Sequence, residues 1–349
     1  MRTSDFDYEL PEELIAQVPA ARRDASWLLV VSRQPSALGR QTAPRFRHHV
    51  FADLASLIAP GDVVVVNDSR VIPARLLARR SGGGAAEILL VTRETDGSWR
   101  ALARPGGRIR TGSVLRLEGD DRIEVVEHLA SGERRVRLVG PGGDDGVLAR
   151  RGQVPLPPYI RRDPGVLDTE RYQTVYADAP GSVAAPTAGL HFTPALLAAI
   201  ESRGARIARL TLHVGPGTFR PVAVADPAHH HLEPEAFVVP EAAAAAVNAA
   251  RARGGAVWAV GTTVTRTLEW CARDDGTVAA GGGWTSLFIR PGHSFRVVDH
   301  LVTNFHLPRS TLLMLVAAFA GRDLALAAYR EAVTRRYRFY SYGDAMVIL

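Results

Sequence analysis

The chain contains no lysine. All 42 of its basic side chains are arginines, which excludes a pyridoxal-phosphate Schiff-base enzyme, a Walker-A nucleotide triphosphatase and a protein kinase, each of which needs a lysine ammonium. Cysteine occurs once, as Cys271, so neither an intrachain disulfide nor a cysteine-only zinc site can form, in keeping with a reducing compartment. Long hydrophobic runs are missing too: the most apolar stretch, residues 311–321, would cover only half a bilayer. The N-terminus carries Asp5, Asp7 and Glu9 where a secretion signal needs a basic start and an apolar core, so the expected location is the cytoplasm. No G-x-G-x-x-G stands in a strand-to-helix context, Gly215-Pro216-Gly217 is too short to replace it, and Ser69, Ser182 and Ser310 lack the nucleophile-elbow pattern of a hydrolase.

What is present is a 349-residue chain with 46% hydrophobic and 22% charged residues, the composition of a soluble globular protein of about two domains. Its formal charge of +6 suits an anionic partner, and guanidinium groups suit phosphate forks and base stacking. Compositional drift of a genome explains the arginine excess at least as well.

Residues 1–73 read as mixed α/β, with short helices over 11–16 and 51–58 and strands over 28–32 and 61–66. The four valines at 63–66 predict burial on both faces. They run into Asn67-Asp68-Ser69-Arg70, where an open α/β sheet places ligand-binding groups. Over 74–157 the texture changes to short alternating runs at 87–92, 99–103, 113–117, 123–129 and 134–139, separated by glycine-rich turns. That pattern predicts an inserted sandwich or barrel of five or six strands, carrying 15 arginines against 11 acidic residues. Helix–strand alternation then returns, with helices over 194–203, 241–253, 262–270, 310–320 and 323–336 and strands over 206–214, 256–260 and 284–289. The expected architecture is an α/β main domain with a mixed sheet, residues 1–73 plus 158–349, interrupted by the β insertion at 74–157.

Residues 181–193, GSVAAPTAGLHFT, form a small-residue loop that lets backbone approach a ligand and ends in the helix-start signal Thr193-Pro194. Together with polar loops at 213–219, 261–263 and 303–306, it could gather His191, His213, His306, Thr218, Thr262, Thr263 and Asn304 around one cavity at a sheet edge. A lone histidine is more often a structural hydrogen-bonder; three in glycine- or proline-flanked loops favour a site. His229-His230-His231 with Glu233 and Glu235 has no metal-ligand spacing, since three neighbours cannot face one ion, so no metal site is expected. The two carboxylates read instead as a general base or a ribose holder.

The blocks FDYELPEELIAQ, GDVVVVNDSRVIPARL, YQTVYA, GSVAAPTAGLHFT, TLHVGPGTFRPV, GTTVTRTLE, TNFHLPRSTLLMLVAAFAG and YRFYSYGDAMVI occur in order along essentially the whole chain. In them the sequence resembles the S-adenosylmethionine:tRNA ribosyltransferase-isomerase family of queuosine biosynthesis. The resemblance implies an α/β domain with an inserted six-stranded β-barrel. It also implies transfer of the ribosyl group of S-adenosylmethionine to 7-aminomethyl-7-deazaguanine in tRNA, giving epoxyqueuosine, adenine and methionine. S-adenosylmethionine is then a consumed co-substrate and no further cofactor is expected.

By their places in the matching blocks, His191, His306, Glu235 and Asp68 are candidate acid–base groups. Thr187, Gly189, Thr218, Gly261, Thr262, Thr263 and Asn304 are candidate substrate contacts, and Arg70, Arg75, Arg220, Arg266 and Arg309 candidate RNA-phosphate contacts. Phe192, Phe219, Phe305 and Tyr342 are available for stacking or for the core. Trp27, Pro216 and Glu233 depart from the family pattern. Two other readings fit the same residues: a paralogue using another deazapurine acceptor, and a noncatalytic RNA-binding protein. A monomer is the default.

Overall fold

A computed structural model describes residues 1–33, 45–215, 217 and 222–349. Strands β1 (Trp27–Val31), β2 (Phe46–Val50), β3 (Val63–Asn67) and β4 (Ser69–Val71) precede the inserted β region. That region holds β5 (Arg75–Arg80), β6 (Ala85–Arg93), β7 (Trp99–Arg104), β8 (Val114–Arg116), β9 (Arg122–His128), β10 (Arg134–Val139) and the short β11 (Gly152–Gln153). The strands that follow are β12 (Ala179–Ser182), β13 (Arg206–Leu212), β14 (Glu235–Val239), β15 (Val257–Val260), β16 (Gly281–Thr285), β17 (His300–Asn304) and β18 (Ala345–Ile348). Helices are α1 (Leu54–Leu57), α2 (Gly143–Arg151), α3 (Val166–Arg171), α4 (Pro194–Ser202), α5 (Glu241–Ala252), α6 (Thr262–Trp270), α7 (Thr311–Ala320) and α8 (Arg322–Thr334).

The four valines of β3 lie near the middle of a mixed sheet ordered β16-β14-β13-β3-β15-β17-β18-β1-β2. Side chains alternate across a strand, so Val63 and Val65 enter the core under α5 to α8 while Val64 and Val66 enter a second core with Leu54, Phe192, Leu196 and Trp258. Each buried valine contributes about 1.5–3 kcal/mol. β3 pairs in parallel with β13 and β15, and β15 in parallel with β17, so the polar chain after each of these strands leaves from the same edge. The expected helix start holds: Thr193 accepts a hydrogen bond from Leu196 N at 3.1 Å with Pro194 in the first turn.

The inserted region is a closed six-stranded antiparallel barrel, β5-β6-β7-β10-β9-β8 and back to β5, with β11 added to β5. Its own core is filled by Leu76, Ile88, Leu90, Ile123, Val136 and their neighbours, together with Val147 and Leu148 from α2. Helix α2 went unseen in the sequence because Gly142 and Gly143 read as a turn. Asp144 and Asp145 in its first turn and Arg150 and Arg151 in its last complement the helix dipole. Hydrogen bonds from Arg150 and Arg151 hold the Asp121 carboxyl down to about 2, fastening α2 to the barrel.

Three expected elements differ. The helix over 11–16 is a single 3-10 turn, Glu12–Leu14, because Ile15 leaves it extended and bridges to Phe339. The helix over 51–58 is a 3-10 turn, Phe51–Asp53, running into the one-turn α1. The strand over 284–289 begins and ends earlier, as β16, because the glycines at 281–283 are themselves paired with β14. Among the described residues, no single helix is long and apolar enough to cross a membrane.

Candidate functional site

At the shared edge, β3 ends on Asn67, which is fully buried. Its Oδ1 accepts from Ser69 N at 3.0 Å and Leu212 N at 3.1 Å, and its Nδ2 donates to Leu212 O at 2.9 Å and Thr263 Oγ1 at 3.2 Å. The side chain therefore holds β3 and β13 together where they begin to separate. Beyond that point Ser69 and His213 face each other, with Ser69 Oγ 2.7 Å from His213 Nδ1.

His213 lines a cavity of about 530 Å³ between the barrel and the α/β sheet, within the range of small-molecule sites. Gly181 borders the cavity beside it, with φ +144°, and a Cβ there would stand 3.0 Å from the His213 ring. Burial lowers the His213 pKa while Asp68 opposes the shift, so the ring is neutral at pH 7.

On the neighbouring strand β14, Glu235 pairs through Oε2 with Nη1 of Arg266 from α6, and both are buried in the cavity wall. Glu235 Oε1 also accepts from Gly215 N at 3.0 Å, and Arg266 Nε donates to Leu287 O at 2.8 Å. His230, His231 and Glu233 line the same space, as does Trp284, a residue 56% exposed. The barrel closes the other side with Arg93, Trp99 and Arg100; Arg93 lies 5.8 Å from the Trp99 ring centroid. One cavity thus offers cations, carboxylates, an imidazole and flat aromatic surfaces.

The residues singled out from sequence divide sharply. Glu235 and Arg266 line the cavity, and Arg266 is buried there in its ion pair. Thr262 and Arg266 share one face of α6, a turn apart. Asp68 stands beside the cavity wall, accepting from Thr211 Oγ1 at 2.6 Å. Thr263 is tied to Asn67, and Gly261, with φ +94°, begins α6 and lies under Ala188.

His191 and Asn304 are buried away from the cavity and bonded to each other. Asn304 Nδ2 is 3.1 Å from His191 Nε2 and also donates to Tyr340 O at 3.0 Å, so Nε2 accepts and Nδ1–H donates to Ser26 Oγ at 2.7 Å. His191 stacks on Phe51, and burial brings its pKa down to about 3, with Arg338, Arg23 and Arg171 adding to the shift. The neighbouring hollow, of about 20 Å³, holds no more than a water. His306 is likewise buried, its Nε2 2.7 Å from Thr303 Oγ1, and burial brings it to about 3. Thr187 opens the 3-10 turn Thr187–His191 half-buried, and a Cβ on Gly189 would run into the Tyr176 hydroxyl.

Arg70 is exposed and donates to Ala177 O at 3.1 Å, Arg75 pairs with Glu87 at 3.0 Å, and Arg309 pairs with Asp7. Phe192, Phe305 and Tyr342 are core residues, whereas Thr218, Phe219, Arg220 and Pro216 lie outside the described residues. Of the departures, Trp27 packs edge-on against Tyr337 and Glu233 lines the cavity. Among the described residues no His, Cys, Asp and Glu cluster could hold a metal ion.

Sequence reasoning missed Ser69 and the barrel residues Arg93, Trp99 and Arg100. Ser69 stood inside a quoted block, but nothing in the sequence pairs it with His213. The barrel residues come from a region that patterning marked only as strands.

A family model described as queuosine biosynthesis protein matches residues 3–348. The chain is 54% identical to the S-adenosylmethionine:tRNA ribosyltransferase-isomerase of Anaeromyxobacter sp. (strain Fw109-5), covering 100% of this chain and 99% of that one. It is 52% identical to the protein of the same name from Symbiobacterium thermophilum, with 100% of both chains covered. A crystal structure of S-adenosylmethionine tRNA ribosyltransferase from Thermotoga maritima matches 99% of this chain and 100% of its own at 40% identity, with a TM-score of 0.56. With a match over nearly its whole length and relatives above half identity, the chain belongs to the queuosine biosynthesis protein family.

Proposed function

We infer that this protein is a transferase, an S-adenosylmethionine:tRNA ribosyltransferase-isomerase, and that the cavity between barrel and sheet is where co-substrate and tRNA base meet. The observation that carries this reading is the lining of the cavity. A sulfonium nucleoside bearing a carboxylate needs anionic, cationic and aromatic surfaces at once, and Glu235, Arg266 and Trp284 supply them in one space. The two proteins of that name cited above share more than half of this chain's residues over its full length.

The acceptor is 7-aminomethyl-7-deazaguanine in tRNA, and the products are epoxyqueuosine in tRNA, adenine and methionine. The positive sulfur acidifies the ribose C5′–H. Loss of that proton lets the ring open and adenine leave, the aminomethyl nitrogen then adds, and closure to the epoxide releases methionine. Such a sequence asks for positioned acid–base groups and a co-substrate held in one geometry, with no further cofactor. Arg93 and Arg100 at the barrel wall, paired with Asp144 and Glu133, and the exposed Arg70 supply positive charge for the RNA chain. The protein works as a monomer in the cytoplasm, where its tRNA is.

Incubation with S-adenosylmethionine and tRNA carrying the aminomethyl base tests this. Adenine and methionine should appear together, dependent on that base. Formation of S-adenosylhomocysteine would mean methyl transfer and overturn the reading, and turnover on the free base but not on tRNA would replace the acceptor.

A further inference from the structure

We propose that His213 is the base that takes the C5′ proton from the sulfonium co-substrate, with Ser69 as its positioning residue. The assignment rests on the function proposed above and adds to it the identity of the group that begins the reaction.

A base at this step must reach the cavity, carry a free lone pair at neutral pH and be held still. The titratable side chains lining the cavity are few, and most are committed or misplaced; Glu233 lies in the coil before β14, beside the charge of Arg100 and on no strand that would hold it still. Arg93, Arg100 and Arg266 are cations without a lone pair to offer. Glu235 is engaged with Arg266 and Gly215 N. Asp145 belongs to the first turn of α2 on the barrel side, where the helix dipole favours its charge. His230 and His231 lie in the coil between the 3-10 turn Pro227–His229 and β14, and His230 packs edge-on against Phe288 at 5.7 Å.

His213 alone directly follows a core strand, with its backbone N–H donating to Ala236 O at 2.9 Å and its ring tied by Nδ1 to Ser69 Oγ. Ser69 is itself fully buried, and its own backbone N–H is held by Asn67 Oδ1. Gly181 lies against the ring where any side chain would displace it. Among the described residues no protein group hydrogen-bonds Nε2.

The proton balance is simple. His213 Nε2 forms a bond to hydrogen as the C5′–H bond breaks; that electron pair becomes C4′=C5′ while the C4′–O4′ bond opens. The electron pair freed on O4′ forms the C1′ carbonyl and expels adenine through N9. The resulting imidazolium keeps Nδ1–H on Ser69 Oγ and returns its extra proton to the departing purine or to water, so the enzyme ends as it began. A hydroxyl both accepts and donates, so Ser69 supports the ring in either protonation state.

The experiment compares wild type with His213→Gln and Ser69→Ala for adenine release from S-adenosylmethionine deuterated at C5′ and from the unlabelled compound, with precursor tRNA. Binding of S-adenosylmethionine is measured by calorimetry and folding by circular dichroism. H213Q should bind the co-substrate within threefold of wild type while adenine release falls at least about 100-fold, the range of lost general-base catalysis. S69A should lower kcat about tenfold with KM unchanged and raise the isotope effect as proton removal becomes slower. Wild-type turnover with H213Q within threefold of it overturns His213 as the base. A large loss in H213Q that follows loss of co-substrate binding or of fold also overturns it. Wild type that releases no adenine overturns the functional reading and this assignment with it.

Discussion

At Gly181 the small-residue segment 181–193 borders an open cavity, whereas at His191, farther along the same segment, it is sealed into the core against Phe51, Ser26 and Asn304. Both ends are built from residues chosen for closeness, but the closeness serves different neighbours. Gly181 lets an imidazole approach; Gly189 lets the Tyr176 hydroxyl approach. A histidine at each end repeats the contrast. His191 has both ring nitrogens engaged by protein, in one tautomer, while His213, which lines the cavity, has Nδ1 tied to Ser69 and no hydrogen bond on Nε2 among the described residues. Small residues and a histidine mark close packing, and only the surroundings say whether a ligand or the protein itself is being packed.

The largest effect that would sharpen this contrast belongs to the cavity wall. Glu235→Ala leaves the buried Arg266 guanidinium without its carboxylate, and urea denaturation should show a loss of about 3–5 kcal/mol. A loss under 1 kcal/mol would mean that the pair is hydrated and the wall is looser than described.

Next come the two glycines. Gly181→Ala forces a side chain into a backbone conformation almost reserved for glycine, and Gly189→Ala crowds a packed hydroxyl, so each should cost about 1–3 kcal/mol. Turnover per folded molecule should fall only for G181A. Equal turnover losses would break the division into a cavity end and a core end.

His191→Gln should cost about 1–2 kcal/mol at pH 7.5 through its lost hydrogen bonds and leave turnover per folded molecule within threefold. Its pH dependence carries a sign. Burial holds folded His191 at about 3, below the 6.5 of an unfolded histidine, so between those values the unfolded chain binds the extra proton. The histidine's stability contribution is therefore complete above pH 6.5 and declines as pH falls toward 3, by up to about 1.4 kcal/mol per pH unit. The stabilities of wild type and H191Q should therefore meet and then cross as pH falls through that window; parallel curves would show a solvated ring.

The smallest effect is expected at the surface. Arg309→Ala should change stability by less than about 0.5 kcal/mol, since its pair with Asp7 is exposed. A weakened salt dependence of tRNA binding would assign this residue to the RNA side, and an unchanged slope would leave it a surface ion pair.

Much of the architecture was legible in the sequence. The valine run, the strand texture after residue 74 and the Thr193-Pro194 helix start each follow from one local rule, and each stands in the structure. The site was legible only in part. Glu235 and Arg266 come from matched or polar segments, but no local rule says that Arg266 points inward from a helix buried on nearly every side. His191 and His306 looked reactive because their loops are polar. Burial, and the hydrogen bonds of His191 to Asn304 and Ser26 and of His306 to Thr303, are tertiary facts, invisible to spacing. Trp99 and Arg100 reach the site only because the barrel folds back on the sheet, a contact that no window along the chain contains.

Asn67 bears on how a sheet can part without leaving broken ends. Its amide gives Leu212 a carbonyl to donate to and an N–H to accept from, the same two partners that a residue of a neighbouring strand would offer. The side chain thus acts as a spare peptide group, continuing the ladder for one rung after the main chain has turned aside. A crevice can then open at the centre of the sheet while every amide beside it stays occupied, and the imidazole that stands there inherits a rigid floor.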